Sequence, residues 1–282
     1  MKTSGSIVLY KTDIPMVSEV IHSFFRGKSE GRKLYLVDNS PSDELSVLKD
    51  LYPEQTEYIF MNENVGFGKA HNVAIRKSME EGFAYHVVLN PDLSFGEETI
   101  PGLECFMNDN PDVGACIPDM MNPDGTRCYS AKLLQTPSTG ILRRFLKNSK
   151  KTERMNYVFH IKFADHTKVF DVPNISGCFM FFRNEALKDV GLFDERFFMY
   201  YEDVDISRRV RTKYRICFVP RVRAIHIGGK EAYHSKKMMK VMIKSAIQYF
   251  NKYHWFFDFE TRRLNKETLK TVPRKEENKD EK

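Results

Sequence analysis

Three polar positions, far apart in the chain, carry residue types that suit a single displacement reaction. Asn90-Pro91-Asp92 closes a short apolar run from Tyr85 to Leu89; Glu202, Asp203 and Asp205 follow an aromatic stretch; His226 ends a later apolar run. A carboxylate just past a buried strand suits a divalent cation, which neutralises charge on a departing diphosphate oxygen. Mg2+ and Mn2+ take carboxylate oxygens, and Mn2+ also accepts imidazole, so Asp92 and His226 together suit one ion. A carboxylate among like charges, which raise its pKa, suits a general base. Each site also has a plainer reading. Asn, Pro and Asp are all turn residues, a histidine at a strand end is often structural, and acidic residues at a helix start complement its dipole.

Such side chains need a scaffold, and the first 120 residues alternate strand-like and helix-like runs. Strands are predicted at Ile7–Tyr10, Leu34–Val37, Tyr58–Met61, Tyr85–Leu89 and Val113–Ile117. Helical spacing of Val17, Val20, Ile21, Phe24 and Phe25 follows Pro15, and a second helix is predicted from about Lys69 to Glu81. This alternation predicts an α/β protein with an open, mixed but mostly parallel sheet, its ligands at the strands' carboxyl ends. Between the third strand and its helix, Asn64-Val65-Gly66-Phe67-Gly68 offers backbone amides to a phosphate. It lacks the spacing of a P-loop or dinucleotide fingerprint, and a plain glycine loop is the alternative.

Residues 122–171 are less regular and read as an excursion over the acceptor side, with basic clusters at Arg143-Arg144 and Lys150-Lys151. Regularity returns with a buried strand at Cys178–Phe182, short helices from Asn184 and Ile206, and two strands, Ile216–Val219 and Val222–His226. A helix is predicted from about Ser235 to Tyr253, with Met and Ile interleaved with lysines and Trp255-Phe256-Phe257 following at once. It suits either an anionic membrane surface or packing on the core with a solvated lysine face. Residues 265–282 are highly charged and predicted to be disordered.

With 282 residues, 41% hydrophobic and 29% charged, the chain suits one large α/β domain with an appendage. The net charge of +6 fits an anionic substrate or membrane surface, and no basic stripe with interleaved aromatics suggests nucleic acid. Cys105, Cys116, Cys128, Cys178 and Cys217 are odd in number and lack CxxC pairing, which reads as reduced core thiols. No signal-peptide core opens the chain and no long uncharged apolar stretch interrupts it, predicting a cytoplasmic protein with at most peripheral membrane contact.

The ordered set of segments resembles glycosyltransferase family 2, and within it the rhamnosyltransferase-like enzymes of bacterial surface-polysaccharide assembly. The resemblance runs over roughly residues 5–230. It is carried by Val37-Asp38-Asn39-Ser40, Asn62 to Gly68 with Asn72, Leu89-Asn90-Pro91-Asp92 and Asn122-Pro123-Asp124-Gly125. Ser176 to Met180, Gly191 to Glu195 with Phe197-Phe198, Tyr201 to Asp205 and Ala224-Ile225-His226 complete it.

The resemblance implies a GT-A fold over residues 1–230, with a nucleotide-binding half to about 120 and an acceptor half beyond. Residues 231–264 would then be an amphipathic helical extension. It implies inverting transfer from a UDP- or dTDP-sugar to a saccharide acceptor, lipid-linked and facing the inner leaflet. Asp38 matches the position that holds the pyrimidine, with Tyr10, Thr12, Asn64, Gly66, Asn72 and Asn90 also on the donor side. Asp92 matches the metal ligand, Asn90 replacing a carboxylate usual in relatives, and His226 a metal-contacting histidine. Asp203 matches the base, with Glu202 supporting either it or the acceptor. A nucleotidyltransferase is a rival, but Tyr10-Lys11-Thr12-Asp13 stands where its glycine-rich phosphate loop would be. A non-catalytic sugar-nucleotide-binding scaffold is another.

Overall fold

The computed structural model describes residues 2–140, 149–228 and 236–275. The predicted Arg143-Arg144 cluster and the start of the late helix lie outside them. Eleven strands run β1 (Thr3–Leu9), β2 (Arg32–Asp38), β3 (Thr56–Phe60), β4 (Tyr85–Leu89), β5 (Leu93–Phe95), β6 (Val113–Met121), β7 (Ala131–Lys132), β8 (Phe170–Asp171), β9 (Asn174–Ile175), β10 (Phe179–Arg183) and β11 (Arg215–His226). The main sheet has the order β3-β2-β1-β4-β10-β6-β11-β5, with β8 also on β11, while β7 and β9 pair separately. The β3-β2-β1-β4 half is parallel, β10 is antiparallel to both neighbours, and β11 is parallel to β6. The sheet is therefore mixed, as predicted.

The helices are α1 (Ile14–Phe25), α2 (Phe67–Glu80), α3 (Thr99–Asp109), α4 (Lys150–Phe159), α5 (Asn184–Val190), α6 (Glu202–Arg211), α7 (Lys236–Lys252) and α8 (Phe259–Thr271), with a 3-10 turn at Glu44–Leu51. Asp13 caps α1 by accepting the Met16 amide, and Pro15 stands in its first turn, where a missing N–H costs nothing. The buried faces of α1 and α3 share one core cluster with the sheet, including Val20, Phe24, Leu103 and Met107.

Four expectations change. The first strand begins at Thr3, four residues before its apolar run, and Ser4 and Ser6 are fully buried. They are tolerated because Ser6 Oγ lies 2.7 Å from His71 Nδ1 and 2.8 Å from His86 Nε2, while Ser4 Oγ lies 2.8 Å from His86 Nδ1. The two final strands are one, β11, with a register shift between Val219 and Arg223 around Pro220. The excursion at 122–171 contains β7, α4 and β8.

The tail predicted to be structureless from residue 265 instead continues as α8 to Thr271, burying Leu264, Thr268 and Val272. Beyond it the Pro273 carbonyl accepts the Asp165 amide at 2.8 Å, and Lys275 donates its own to the Phe163 carbonyl. Leu264 within the helix and Val272 at its cap, with the buried Thr268 between them, suffice to dock a helix whose outer faces are charged. Residues 276–282 lie outside the described residues.

Candidate active site

Register brings the candidate residues together. β1 lies between β2 and β4, with Leu9 opposite Asp38 and Ile7 opposite Leu89, so the chain leaves all three strands at one edge. Lys11, Thr12, Ser40, Ser42 and Glu44 line a cleft of about 600 Å³ at that edge. Lys11 adopts φ 50° and donates its amide to Ser40 Oγ at 2.8 Å, tying the two strand exits together. Tyr10 is half exposed, its amide on Thr12 Oγ1 at 3.1 Å. Asp38 is fully buried beneath the rim, accepting the Ser40 amide at 2.8 Å and the Tyr58 hydroxyl at 2.5 Å.

Farther along the same edge, β5 pairs with β11 so that His226 faces Leu93, one residue from Asp92. His226 Nε2 lies 3.1 Å from Asp92 Oδ2. Burial favours a neutral imidazole, but hydrogen bonds to Asp92 and Cys128 outweigh it and lift His226 to about 10. Burial also opposes the Asp92 charge, and the His226 contact, with help from Asn90, holds that carboxyl below its ordinary value. Gly228 passes so close that an added Cβ would stand 2.6 Å from Asp92 Oδ2.

Asp92 Oδ1 is buried without a well-formed hydrogen bond. A buried carboxylate oxygen left so, beside an imidazole, fits a hard divalent cation. The chain offers Asp92 Oδ1 directly and His226 once the cation displaces its proton, and among the described residues no group of three or more His, Cys, Asp or Glu side chains could hold an ion alone. An octahedral ion would complete its shell with diphosphate oxygens and water.

The three acidic residues of α6 diverge. None is the N-cap; that position is Tyr201, which with Tyr200 adopts left-handed backbone at φ 69° and 68°. Two consecutive non-glycine residues in that region store strain, a feature the sequence did not signal. Asp203 remains half-buried and accepts the Gly177 amide through Oδ2 at 3.1 Å. Glu202 is buried, its Oε2 without a partner, its Cβ near the backbone of Gly68. Burial and the neighbouring Asp203 charge push its carboxyl well above the ordinary range. Glu202 therefore backs Asp203 from the protein interior, away from solvent. Asp205 is fully buried in an ion cluster with Lys252, Arg209 at 2.8 Å and the Tyr253 hydroxyl at 2.8 Å.

One short segment joins the two halves. Gly177 donates to Asp203, and the next residue, Cys178, accepts the Asn90 amide at 2.9 Å. Gly177 also packs on Phe67, where an added Cβ would meet Asp203 Cβ at 3.4 Å.

Two donor-side residues have structural duties instead. Asn72 is buried, its amide bonding the Phe193 carbonyl and Glu195 while its oxygen accepts the Phe193 amide. With every polar atom engaged inside the protein, it clamps the 193–195 loop. The amides of Val65, Gly66 and Phe67 are likewise taken, by the Glu63 carbonyl, Asn64 Oδ1 and the Phe198 carbonyl. These three donors do not face a phosphate. Gly66 is needed because φ is 89° and a Cβ would stand 2.3 Å from the Phe198 oxygen.

The residues missed from the sequence are Gly177, Cys128, Gly228, Tyr58 and Lys252. Tyr58 alone had a local signal, since it lies two positions before Phe60, the partner of Asp38 in the parallel register. The others arrive through tertiary packing.

The model of the family described as glycosyl transferase family 2 matches residues 7–191. An N-acetylglucosaminyl-diphospho-decaprenol L-rhamnosyltransferase of Mycobacterium tuberculosis is 28% identical over 172 residues, covering 58% of this chain and 56% of that protein. The chain thus spans little more than half of that relative's length. A dTDP-rhamnosyl transferase, RfbF, of Shigella flexneri is 24% identical over 227 residues, covering 79% of this chain and 69% of that protein. Among solved structures, GalNAc-T7 with UDP, GalNAc and Mn2+ superposes with a TM-score of 0.61 at 15% identity, covering 87% of this chain and 47% of that one. That likeness concerns the fold, which is of the GT-A type. Over residues 7–191, which include Asp38, Asp92 and the Gly177-Cys178 segment, the chain matches that family's model, and it belongs to glycosyl transferase family 2.

Proposed function

We propose that the protein is an inverting, divalent-metal-dependent glycosyltransferase. It moves a sugar, rhamnose by preference, from a UDP- or dTDP-sugar to a hydroxyl of a lipid-linked saccharide in bacterial surface-polysaccharide synthesis. The observation that supports this reading is the hydrogen-bonded run Asp203–Gly177–Cys178–Asn90, which links the half-buried acid of α6 to the strand exit that carries Asp92, itself paired with His226. The rhamnosyl donor is supported by the names of the mycobacterial and Shigella relatives, and the lipid-linked acceptor by the former. Mn2+ beside UDP in GalNAc-T7 supports the metal.

Asp203 accepts the proton of the acceptor hydroxyl as its oxygen attacks the anomeric carbon from the face opposite the diphosphate. The Gly177 amide fixes one carboxylate oxygen and leaves the other for the acceptor, apart from a local contact to the Val204 amide. Asp92, with His226 once deprotonated, would hold a divalent cation, which when bound would supply electrostatic stabilisation of the diphosphate leaving group. The cleft at Thr12 and Ser40 takes the nucleoside end, with Asp38 fixed by Tyr58 beneath it.

Replacing Asp203 by Asn tests the base. Donor binding, followed by thermal shift with UDP- and dTDP-sugars and Mn2+ or Mg2+, is expected to survive, while transfer falls by about 10²- to 10⁴-fold. Near wild-type transfer by that variant would remove Asp203 from the role. Metal-dependent donor hydrolysis by the unmodified protein separates an enzyme from a scaffold that binds the donor without turning it over.

A further inference from the structure

The outer face of α7 and the loop that follows it carry features the transfer reaction does not use. The helix has five lysines and no acidic residue. Lys236, Lys240 and Lys244 follow at four-residue spacing and are exposed, with Ile243 50% and Ile247 45% exposed on the same stripe. At the helix's end the chain turns through His254 and Trp255 at positive φ, and Phe256, Phe257 and Phe259 stand 69%, 73% and 70% exposed. Three phenylalanines in four positions left this open are rare on a soluble surface, because each forgoes the burial that apolar surface favours.

The local acids do not offset these cations. Asp258 is paired with the buried Arg208, and Glu260 with Arg263 at 2.6 Å. Lys252, the fifth lysine, is the one turned inward, onto Asp194 and Asp205. Lys236, Lys237, Lys240 and Lys244 have no ion-pair partner among the described residues. Arg262 adds a further exposed cation, held by the Phe256 carbonyl at 2.9 Å.

We propose that this face docks the protein on an anionic lipid surface, with lysines at the headgroups and Phe256, Phe257 and Phe259 inserted at the acyl boundary. The charge pattern selects that occupant over a second copy of the chain. A two-fold contact through this stripe would set Lys240 and Lys244 against their own counterparts, which like-charge repulsion disfavours. Among the described residues no helix is long and apolar enough to cross a membrane, so the contact is peripheral. The inward face of α7 meets the acceptor half directly: Ser245 bonds the Met199 carbonyl at 2.8 Å, and Tyr249 and Phe250 pack on Tyr201. A docked α7 thus holds the Asp203 region about one helix diameter, roughly 10–12 Å, from the lipid.

Co-sedimentation of the full chain with vesicles tests this without donor or acceptor, so its outcome is independent of the transfer reaction. Vesicles containing phosphatidylglycerol are expected to retain the protein at 0.1 M salt, and pure phosphatidylcholine vesicles to retain little. At 1 M salt, where the screening length drops from about 10 Å to about 3 Å, retention on anionic vesicles should fall. Replacing Lys240 and Lys244 by Ala should weaken anionic binding about 25-fold, near fivefold for each lysine. The Phe256→Ser, Phe257→Ser variant should weaken it at least about tenfold with the salt dependence retained. Both variants should keep the wild-type circular dichroism and donor-induced thermal shift, since neither touches the cleft. Equal retention on neutral vesicles, no retention on either, or a concentration-dependent dimer abolished by the phenylalanine substitutions would overturn the proposal.

Discussion

Asp92 is half-buried and Glu202 buried, and their surroundings drive the two carboxyls opposite ways. Asp92 has an imidazole at 3.1 Å and is held ionised, whereas Glu202 has the Asp203 charge beside it and an oxygen with no donor. Replacing Asp92 by Ala should therefore raise the donor Kd measured with Mn2+ by about tenfold or more, the scale at which metal-site contacts act, and leave metal-free nucleotide binding little changed. Isothermal titration with and without chelator reads both, and an unchanged Kd with metal present would take Asp92 out of the site. Glu202 yields a pH prediction. In the unfolded chain it loses its proton near 4.5, and in the folded protein well above that. The contribution of the protonated form is thus whole below about 4.5 and declines as pH rises through the folded value. Glu202→Gln has nothing to titrate, so its melting temperature should gain on the wild type as pH climbs from 4.5 towards 9. Parallel curves would show that Glu202 is ionised in the fold.

Glycine at position 66 is an example of an element boundary set by contact rather than by propensity. α2 starts where it does because Phe67 gives its amide to the Phe198 carbonyl at 2.8 Å, while Asn39 bonds the Gly66 carbonyl at 3.2 Å. The loop before α2 is thereby joined to the aromatic stretch before α6, the element that carries Asp203. Gly66→Ala places a Cβ 2.3 Å from that carbonyl oxygen at a backbone angle open essentially to glycine alone, so it should cost about 3 kcal/mol or more. Urea unfolding measures the loss, and a midpoint within error of wild type would refute the requirement. α6 itself was legible from its acidic start and apolar interior. Its left-handed entry through Tyr200 and Tyr201 was not, since tyrosine has no local preference for that conformation.

Across the whole molecule, the C-terminal helices are part of the fold and not an appendage to it. Leu134, Phe197, Val204, Tyr249, Phe250 and Leu264 form one buried cluster, and Val272 joins the main core. Lys252 and Tyr253 partner Asp205, and Asp258 holds Arg208 with an Nη2–Oδ1 distance of 2.7 Å. Truncation after residue 230 would strip two partners from a fully buried Asp205 and uncover Phe197 and Val204. Asp205 would keep Arg209, but the buried Arg208 would lose Asp258, and orphaning a buried charge alone costs about 3–5 kcal/mol, a large share of the usual 5–15 kcal/mol. The truncated chain should therefore lose its cooperative melt in circular dichroism. A sharp transition near that of the full chain would show that residues 2–228 stand alone.

The sequence by itself determined the alternation of strands and helices, because apolar runs and helical spacing are local patterns that burial on a sheet enforces. It also marked Asp92, Asp203 and His226 as candidates, because each stands near the end of an element, where the chain turns. It did not signal the partners of Asn72 and of the Phe67 amide, since Phe193, Glu195 and Phe198 lie more than a hundred residues away, nor that Glu63 and Asn64 take the Val65 and Gly66 amides within the loop itself. The charged stretch after residue 265 was misread for a related reason: Leu264, Thr268 and Val272, spaced by about one helical turn, dock α8, and composition averages them away. Only the tertiary structure decided which of three adjacent acids remains accessible. Glu202, Asp203 and Asp205 are equivalent as residue types, and their directions around one helix send them to the interior, the half-exposed Gly177 amide and the Lys252 cluster.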